Sequence, residues 1–352
     1  MQLVATEQRG ASAALCGWTL ERPLGAGPVC SSWLAVRGDE RAVVRVLNAE
    51  LARDAKARTE WLRANWAANR FHHARVVKVL EQGQEPGPDG APVIVRAWAE
   101  GESLEEAVTR GAVDEAGAMR LLEQVLDALE MAHAHGILHG ALTPRNVIVT
   151  PRGSARVVDF GSTPGLLVRR SGASERLASH RRGPFLPPER RTVPVAPSTE
   201  LADVWSAGAC LYFALTGKPP TLDAPRLTGV DPDVAAIVAL ALEADPAGRY
   251  ESAYAMLGDV RRLLSGRKPH LDGRAAPIPS QRLPSLVPSS SIVHVPAPPQ
   301  EATPAAVTSR QRRGNVLLLL AIALLAGFAT FVLVRERLAD APPPAPASTQ
   351  AP

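Results

Sequence analysis

The stretch "LHGALTPRN", residues 138–146, separates a long helical pattern from the apolar run "VIVT". Residues 114–136, directly before it, repeat apolar side chains at helical spacing and end at Gly136, which is typical of an amphipathic helix. A second short motif, "VVDFGS" at 157–162, follows a few positions later. The stretch is therefore a short polar segment enclosed by predicted regular structure.

The sequence around this stretch divides into a strand-rich half and a helix-rich half. Five runs rich in Val, Leu, Ile and Trp are typical of strands. They are residues 18–27, 31–36, 41–47, 75–80 and 92–98. Helical spacing predicts one helix over 50–70, and the nearly all-apolar residues 202–217 predict a buried helix. This order predicts an α+β domain of two lobes over 18–265, with an N-lobe over about 18–98 and a C-lobe over about 99–265.

Composition excludes several classes of protein. The chain has 352 residues, 46% of them apolar, and a net charge of +4, which is too small to indicate binding of nucleic acid. Its three cysteines have no CxxC spacing, so we expect a reducing compartment and neither a disulfide framework nor a zinc site. His133 and His135 lie on the predicted helix without a third ligand nearby, so a metal site there is not expected. Residues 1–17 form a lead without the basic start and apolar run of a signal peptide.

The C-terminal part has a different character. Residues 266–314 are rich in Pro, Ser and Ala and cannot bury enough apolar surface to fold, so they are predicted to be a disordered linker. Residues 315–334 contain no charge, and about 20 residues is the length of a helix that crosses a bilayer. We expect one transmembrane helix there and a short extracytoplasmic tail over 335–352. The chain is then a single-pass protein of the inner (plasma) membrane with its N-terminal domain in the cytoplasm.

Several motifs, taken in chain order, resemble those of the bacterial branch of the serine/threonine protein kinases. "LGAGPVC" resembles the glycine-rich loop, "VVRVL" the strand that normally carries a phosphate-binding lysine, and "RAWAEGESL" the hinge. "LHGALTPRN" resembles the catalytic loop H-R-D-L-K-P-E-N, and "VVDFGS" contains the metal-binding D-F-G motif. "PPE", "DVWSAG" and "DPAGRY" resemble three further motifs of the C-lobe. The ordered set covers the whole globular unit and implies the two-lobed kinase fold, although a fold alone does not imply activity.

The resemblance implies roles for individual residues. The nucleotide-binding positions correspond to Gly25, Gly27, Arg45, Arg96 and Trp98. The metal-binding positions correspond to Asn146 and Asp159, and the structural ones to His139, Phe160, Gly161, Glu189, Asp203 and Arg249. In the family, Arg249 pairs with Glu189. The implied cofactor is ATP with Mg²⁺.

The catalytic parts of the resemblance are incomplete. Ala141 occupies the position of the base aspartate, and a positioned base contributes about 10²–10⁴-fold to a rate. Arg45 replaces the lysine, and the position of its glutamate partner falls on Ala64. Arg96 at the gatekeeper position and Ser103, where the family often has an acidic ribose ligand, favour weak or absent ATP binding. The sequence therefore assigns no catalytic residue.

Two local hypotheses have alternatives. Glu60 lies one helical turn before Ala64 and is either a partner for Arg45 or a surface glutamate. The segment between D-F-G and P-P-E is basic, and it is a protein dock, a phosphoacceptor loop for an active kinase, or a solvated loop. Its arginines are Arg169, Arg170, Arg176, Arg181 and Arg182.

Together these features predict a membrane-anchored, kinase-like protein that is catalytically inactive. An inactive protein with a kinase fold is called a pseudokinase. We expect it to act in signalling by binding a protein partner, such as an active kinase or its substrate, at the membrane. The alternatives are a weakly active, ATP-dependent Ser/Thr protein kinase and a purely structural membrane anchor.

Overall fold

The computed structural model describes residues 14–27, 29–87, 90–161, 183–191, 196–221 and 227–273. All of them belong to the first of two compact units, Met1–Ser280. Inside these ranges no helix has the length and apolar character that a membrane crossing needs. The span predicted at 315–334, the tail and most of the linker lie outside the described residues, as do the five arginines of the basic segment.

The N-terminal lobe is a six-stranded antiparallel sheet against which one main helix packs. Its strands are β1 (Ala14–Leu15), β2 (Trp18–Ala26), β3 (Cys30–Arg37), β4 (Glu40–Leu47), β5 (Val79–Gln84) and β6 (Pro92–Ala97), in the spatial order β1-β2-β3-β4-β6-β5. The two valine-rich strands β4 and β6 are neighbours, and Arg45 lies opposite Ile94 in their register. Trp18 and Trp61 are fully buried in the core of this lobe. The apolar strand pattern thus places β4 and β6 in the interior of the sheet.

The helical region of this lobe differs from the predicted single helix over 50–70. It consists of α1 (Ala49–Ala52), α2 (Ala55–Ala67) and a short 3-10 turn (Ala68–Arg70). Asp54 separates the two helices, because its carboxylate accepts hydrogen bonds from two backbone N–H groups in the first turn of α2 and so caps that helix. The next strand, predicted over 75–80, begins only at Val79.

The C-terminal lobe is mainly helical. Its helices are α3 (Leu104–Thr109), α4 (Glu115–Ala134), α5 (Glu200–Thr216), α6 (Pro232–Ala241) and α7 (Ala253–Leu264), and its small sheet contains β7 (Glu102–Ser103), β8 (Val147–Val149) and β9 (Ala155–Val157). Helix α5 is buried along most of its length and ends at Gly217, as predicted. Leu126, Leu129 and Trp205 belong to the core of this lobe. The two-lobed α+β architecture predicted from the sequence is confirmed.

Gly161, in the D-F-G motif, allows α2 to approach this motif closely. Its φ is +65°, in the left-handed region that favours glycine. A Cβ atom at this position would lie 2.4 Å from the carbonyl oxygen of Ala64 in α2. Any other residue would therefore strain the backbone and overlap the helix.

Candidate functional site

A cleft of about 1150 Å³ collects the residues that the motifs mark for ligand binding. Its lining includes all seven predicted nucleotide- and metal-binding residues, which are Gly25, Gly27, Arg45, Arg96, Trp98, Asn146 and Asp159. Ser103 and Thr143 line it as well. The motifs thus converge on one site, and the contacts among these side chains decide what the site can hold.

Asp159 lies between two arginine side chains in this cleft. Its Oδ1 atom is 3.2 Å from Nη1 of Arg45 on β4 and 3.2 Å from Nε of Arg96 on β6. The Asp159, Arg45 and Arg96 side chains are 12%, 3% and 14% exposed, so little water screens these contacts. The φ of Asp159 is +69°, a strained conformation that surrounding contacts must maintain. Two buried guanidinium groups therefore share one carboxylate.

The pKa values of the two arginines are shifted in opposite directions. Burial lowers the pKa of Arg96, and the nearby charge of Arg45 lowers it further, against the opposing effect of Asp159. Burial also acts to lower the pKa of Arg45, but Asp159 and Cys30 outweigh it and the pKa of Arg45 is raised. Both guanidinium groups remain protonated, because arginine does not lose its proton in proteins. This group of three side chains therefore carries one more positive than negative charge.

The residues predicted to bind metal do not fit Mg²⁺, which requires oxygen ligands in an octahedral arrangement. The Asn146 Oδ1 atom accepts a hydrogen bond from the Thr143 hydroxyl at 2.8 Å. The Asn146 amide group then donates to Asp159 Oδ2 at 3.3 Å. Both oxygens of Asp159 thus face donors, and a cation placed there would meet the two guanidinium groups. Among the residues that the structure describes, no cluster of three or more His, Cys, Asp or Glu side chains could hold a metal ion.

Arg45 is held by two residues to which the resemblance gives no role, Asn65 and Cys30, the last residue of "LGAGPVC". Its Nη1 atom donates to Asn65 Oδ1 at 3.1 Å, and its Nη2 atom donates to Cys30 Sγ at 3.0 Å. Glu60 is not among the contacts of the Arg45 guanidinium in the described part of the chain, so the pair hypothesised from the sequence is not seen. Asn65, the residue after Ala64, makes the contact from α2 instead. The signal for this contact was a polar residue, Asn65, on the helix face that is buried.

The catalytic loop keeps its framework around Ala141. Asp203 of α5 is buried and accepts hydrogen bonds from the backbone N–H groups of His139 and Gly140, each at 2.8 Å. The His133 ring contacts the same carboxylate at 3.0 Å, which gives this histidine a structural partner. Ala141 is 4% exposed, and its methyl group can neither accept a proton nor carry charge. Hydrogen bonds to Asp203 thus hold the backbone of this loop, and Ala141 occupies the position that the resemblance assigns to a base.

The residues that the resemblance marks as structural form contacts inside the C-lobe. The His139 ring lies 3.0 Å from the Val158 carbonyl oxygen, and its centroid is 4.9 Å from that of the Phe160 ring. Glu189 and Arg249 form the two-hydrogen-bond pair expected from the family, at 3.0 and 2.9 Å. The Arg249 side chain is fully buried, so this pair connects the P-P-E motif to the helical core.

Three more carboxylates line the described cleft, and each has a partner. The pairs are Glu102 with Arg110, Glu105 with Arg145 at 2.6 Å, and Glu106 with Ser103 at 2.7 Å. The Ser103 hydroxyl accepts from the Glu106 backbone N–H at 3.2 Å, and this forms a capping box at the start of α3. Hydrogen bonds from Ser103 lower the pKa of Glu106. Each of these three carboxylates is thus engaged by a neighbouring side chain.

The capping box gives Ser103 a structural role, which can be tested. We expect Ser103→Ala to lower the free energy of unfolding by about 1 kcal/mol, because the first turn of α3 loses its cap. Thr109→Ala, which removes a hydroxyl in the last turn of the same helix that donates to the Glu105 carbonyl oxygen, is the matched control and should change stability less. Urea denaturation of both variants decides this, and equal effects would contradict the capping role.

The comparison with known proteins agrees with the two-lobed fold described above. The model of the protein kinase domain family matches residues 18–251. The serine/threonine-protein kinase PknB of Mycolicibacterium smegmatis is 29% identical over 246 residues, which cover 64% of this chain and 39% of PknB. The serine/threonine-protein kinase PknA of Mycobacterium tuberculosis is 26% identical over 321 residues, covering 85% of this chain and 73% of PknA. The chain thus matches about two fifths of the length of PknB.

A solved structure shows the same fold. The kinase domain of Mycobacterium tuberculosis PknI, in a double-mutant form, superposes with a TM-score of 0.57 at 22% identity. The match covers 73% of this chain and 99% of that domain. At this level of identity the likeness shows a shared fold. The chain belongs to the protein kinase domain family, in its bacterial serine/threonine branch.

Proposed function

We propose that this chain is a pseudokinase, a kinase-fold protein that acts in signalling by binding a protein partner and does not transfer phosphate. The observation that carries this proposal is Asp159 held between the guanidinium groups of Arg45 and Arg96. Phosphoryl transfer requires this aspartate for Mg²⁺ and a second aspartate as base. The first is engaged by arginine, and the second is replaced by Ala141.

Kinases of this family use ATP with Mg²⁺, so the direct test is transfer of labelled γ-phosphate by the purified full-length chain. We expect no label on the chain itself or on a general protein substrate, with PknB of Mycolicibacterium smegmatis as the positive control. Ala141→Asp should also give no transfer, because restoring the base leaves Asp159 bound to its two arginines. Transfer by the wild type that disappears in Asn146→Ala would overturn the proposal and favour the weakly active kinase.

The proposal includes attachment to the inner membrane through residues 315–334, with the kinase-fold domain in the cytoplasm. Its support is the uncharged 20-residue segment that follows the Pro-rich linker. Tethering would raise the concentration of the domain near a membrane-bound partner. We expect the full chain to sediment with membranes and a chain ending at residue 314 to remain in the supernatant.

A domain exchange separates partner binding from simple anchoring. We replace residues 18–265 by an unrelated globular domain and leave the C-terminal part unchanged. This exchanged protein should fail to restore the wild-type phenotype in a deletion strain. If the exchanged protein restores that phenotype in a deletion strain, the chain is a structural anchor. A useful second arm carries the intact domain without residues 315–352, since it shows whether the domain acts without its tether.

A further inference from the structure

The arginine pair in the cleft has donors that no described residue satisfies. Arg96 makes no hydrogen bond in the described part of the chain, and its buried Nε atom meets Asp159 only as an ion pair. The Nε atom of Arg45 is also buried without a hydrogen bond there, and only 3% of the Arg45 side chain is exposed. Both Nε atoms are closed to solvent, so a ligand that brings acceptor atoms would meet the exposed part of the Arg96 side chain.

The charge of the cleft indicates the sign of that ligand. Around Asp159 two guanidinium groups face one carboxylate. The remaining described charges of the lining are Arg22, Arg110 and Arg145 against Glu102, Glu105 and Glu106. Because these three arginines balance three glutamates, the excess charge of the cleft is the one between Arg45 and Arg96. An anion would compensate it, whereas a cation would add to it.

Guanidinium chemistry narrows the class of anion. Arginine presents planar pairs of N–H donors that match the oxygens of phosphate. Arg96 is 14% exposed, so its guanidinium reaches the cleft while most of it is shielded from water. Gly25 and Gly27, which border the same cleft, leave space for a phosphate group to approach the backbone.

We propose that the cleft binds a phosphate-bearing anion directly on the exposed part of Arg96, with the buried Arg45 adding positive charge, and without a divalent metal. The guanidinium groups supply the positive charge that Mg²⁺ supplies in an active kinase. The ligand is either a nucleotide or a small phosphate compound, since both carry the same anionic group. This inference goes beyond the proposed function, which concerns the absence of transfer, and metal dependence of binding tests it separately.

Calorimetric titration of the full-length chain with ADP and with inorganic pyrophosphate, each in EDTA and in excess Mg²⁺, tests the site. We expect binding in EDTA that Mg²⁺ leaves unchanged or weakens, because Mg²⁺ neutralises the anion that the arginines attract. ADP that binds more tightly than pyrophosphate would identify a nucleotide site, and equal affinities would identify a small-phosphate site. Absence of binding in EDTA, or binding that requires Mg²⁺, would overturn the proposal.

Variants locate the site within the cleft. Arg96→Met should weaken binding about tenfold or more, because a charged hydrogen bond is lost, and it leaves Arg45 and Asp159 as a balanced pair. Arg96→Lys should keep part of the affinity, since it retains charge without the planar donors. Arg145→Met is the matched control, because this arginine lines the same cleft but is half exposed and bound to Glu105. Equal losses in Arg96→Met and Arg145→Met would show nonspecific anion binding and contradict the proposal.

Discussion

Asp159→Asn is expected to lower the free energy of unfolding by about 3 kcal/mol, because it leaves two buried guanidinium groups next to each other without a carboxylate. An aspartate that served only to bind metal would have the opposite effect, since removing its charge relieves unpaired negative charge. Urea denaturation of the full-length chain, without added ligand, measures the difference.

Two further variants make this result specific. Arg96→Met in the Asp159→Asn background should recover part of the lost stability, since one buried charge is then removed. Glu40→Gln removes a carboxylate from an exposed ion pair with Arg37 and should leave stability close to that of the wild type. Wild-type stability of Asp159→Asn would show that the arginines do not depend on this carboxylate, and the argument against Mg²⁺ would then fail.

A second large effect is expected at Asp203, which stabilises the catalytic loop. Its carboxylate accepts hydrogen bonds from two backbone N–H groups of the loop and contacts His133 while only 1% of the residue is exposed. Asp203→Asn should cost about 3–5 kcal/mol, because an amide NH₂ group would face a donor that the carboxylate now accepts from. Glu200→Gln, on the same helix but with a half-exposed side chain, is the matched control and should have little effect.

The pH dependence of this effect has a definite sign. Burial acts to raise the pKa of Asp203, but the hydrogen bond and charge of His133 and the Gly140 N–H outweigh it, so the pKa lies below its usual 3.8. A depressed acid pKa contributes stability that is present above the unfolded pKa and is lost as pH falls through the folded pKa. The stability difference between wild type and Asp203→Asn should therefore be constant near neutral pH and shrink below about pH 4. A difference that grows in acid would contradict this account.

The sequence motifs were sufficient to predict which residues lie close together, because each one marks a fixed position in a shared fold. Gly25, Arg96 and Asp159 are more than 60 residues apart in the chain at each step, yet the structure brings them to one cleft. The lobe order followed from hydrophobic periodicity in the same way. The break before α2 was missed, since helical spacing continues across Asp54 and only its capping hydrogen bonds show the interruption.

The contacts inside the cleft could not be predicted from the motifs. One of the two alternatives for Glu60 made it the partner of Arg45, but Asn65 and Cys30 make the contacts. Which of these side chains reaches the guanidinium depends on how α2 and β3 pack on β4, and spacing along one helix does not determine that packing. The same limit applies to Asp159, whose motif implies a metal ligand while its neighbours make it an arginine partner.

If the chain is the pseudokinase proposed above, the shared carboxylate also restricts how it could regain catalysis during evolution. Changing only one of Arg45 and Arg96 leaves the other on Asp159, so the metal position stays blocked and selection for activity gains nothing from the first step. Changing Asp159 first exposes like charges to each other and destabilises the fold. The effects of these substitutions are therefore interdependent, and inactive descendants of this chain should keep the three residues together or lose them together.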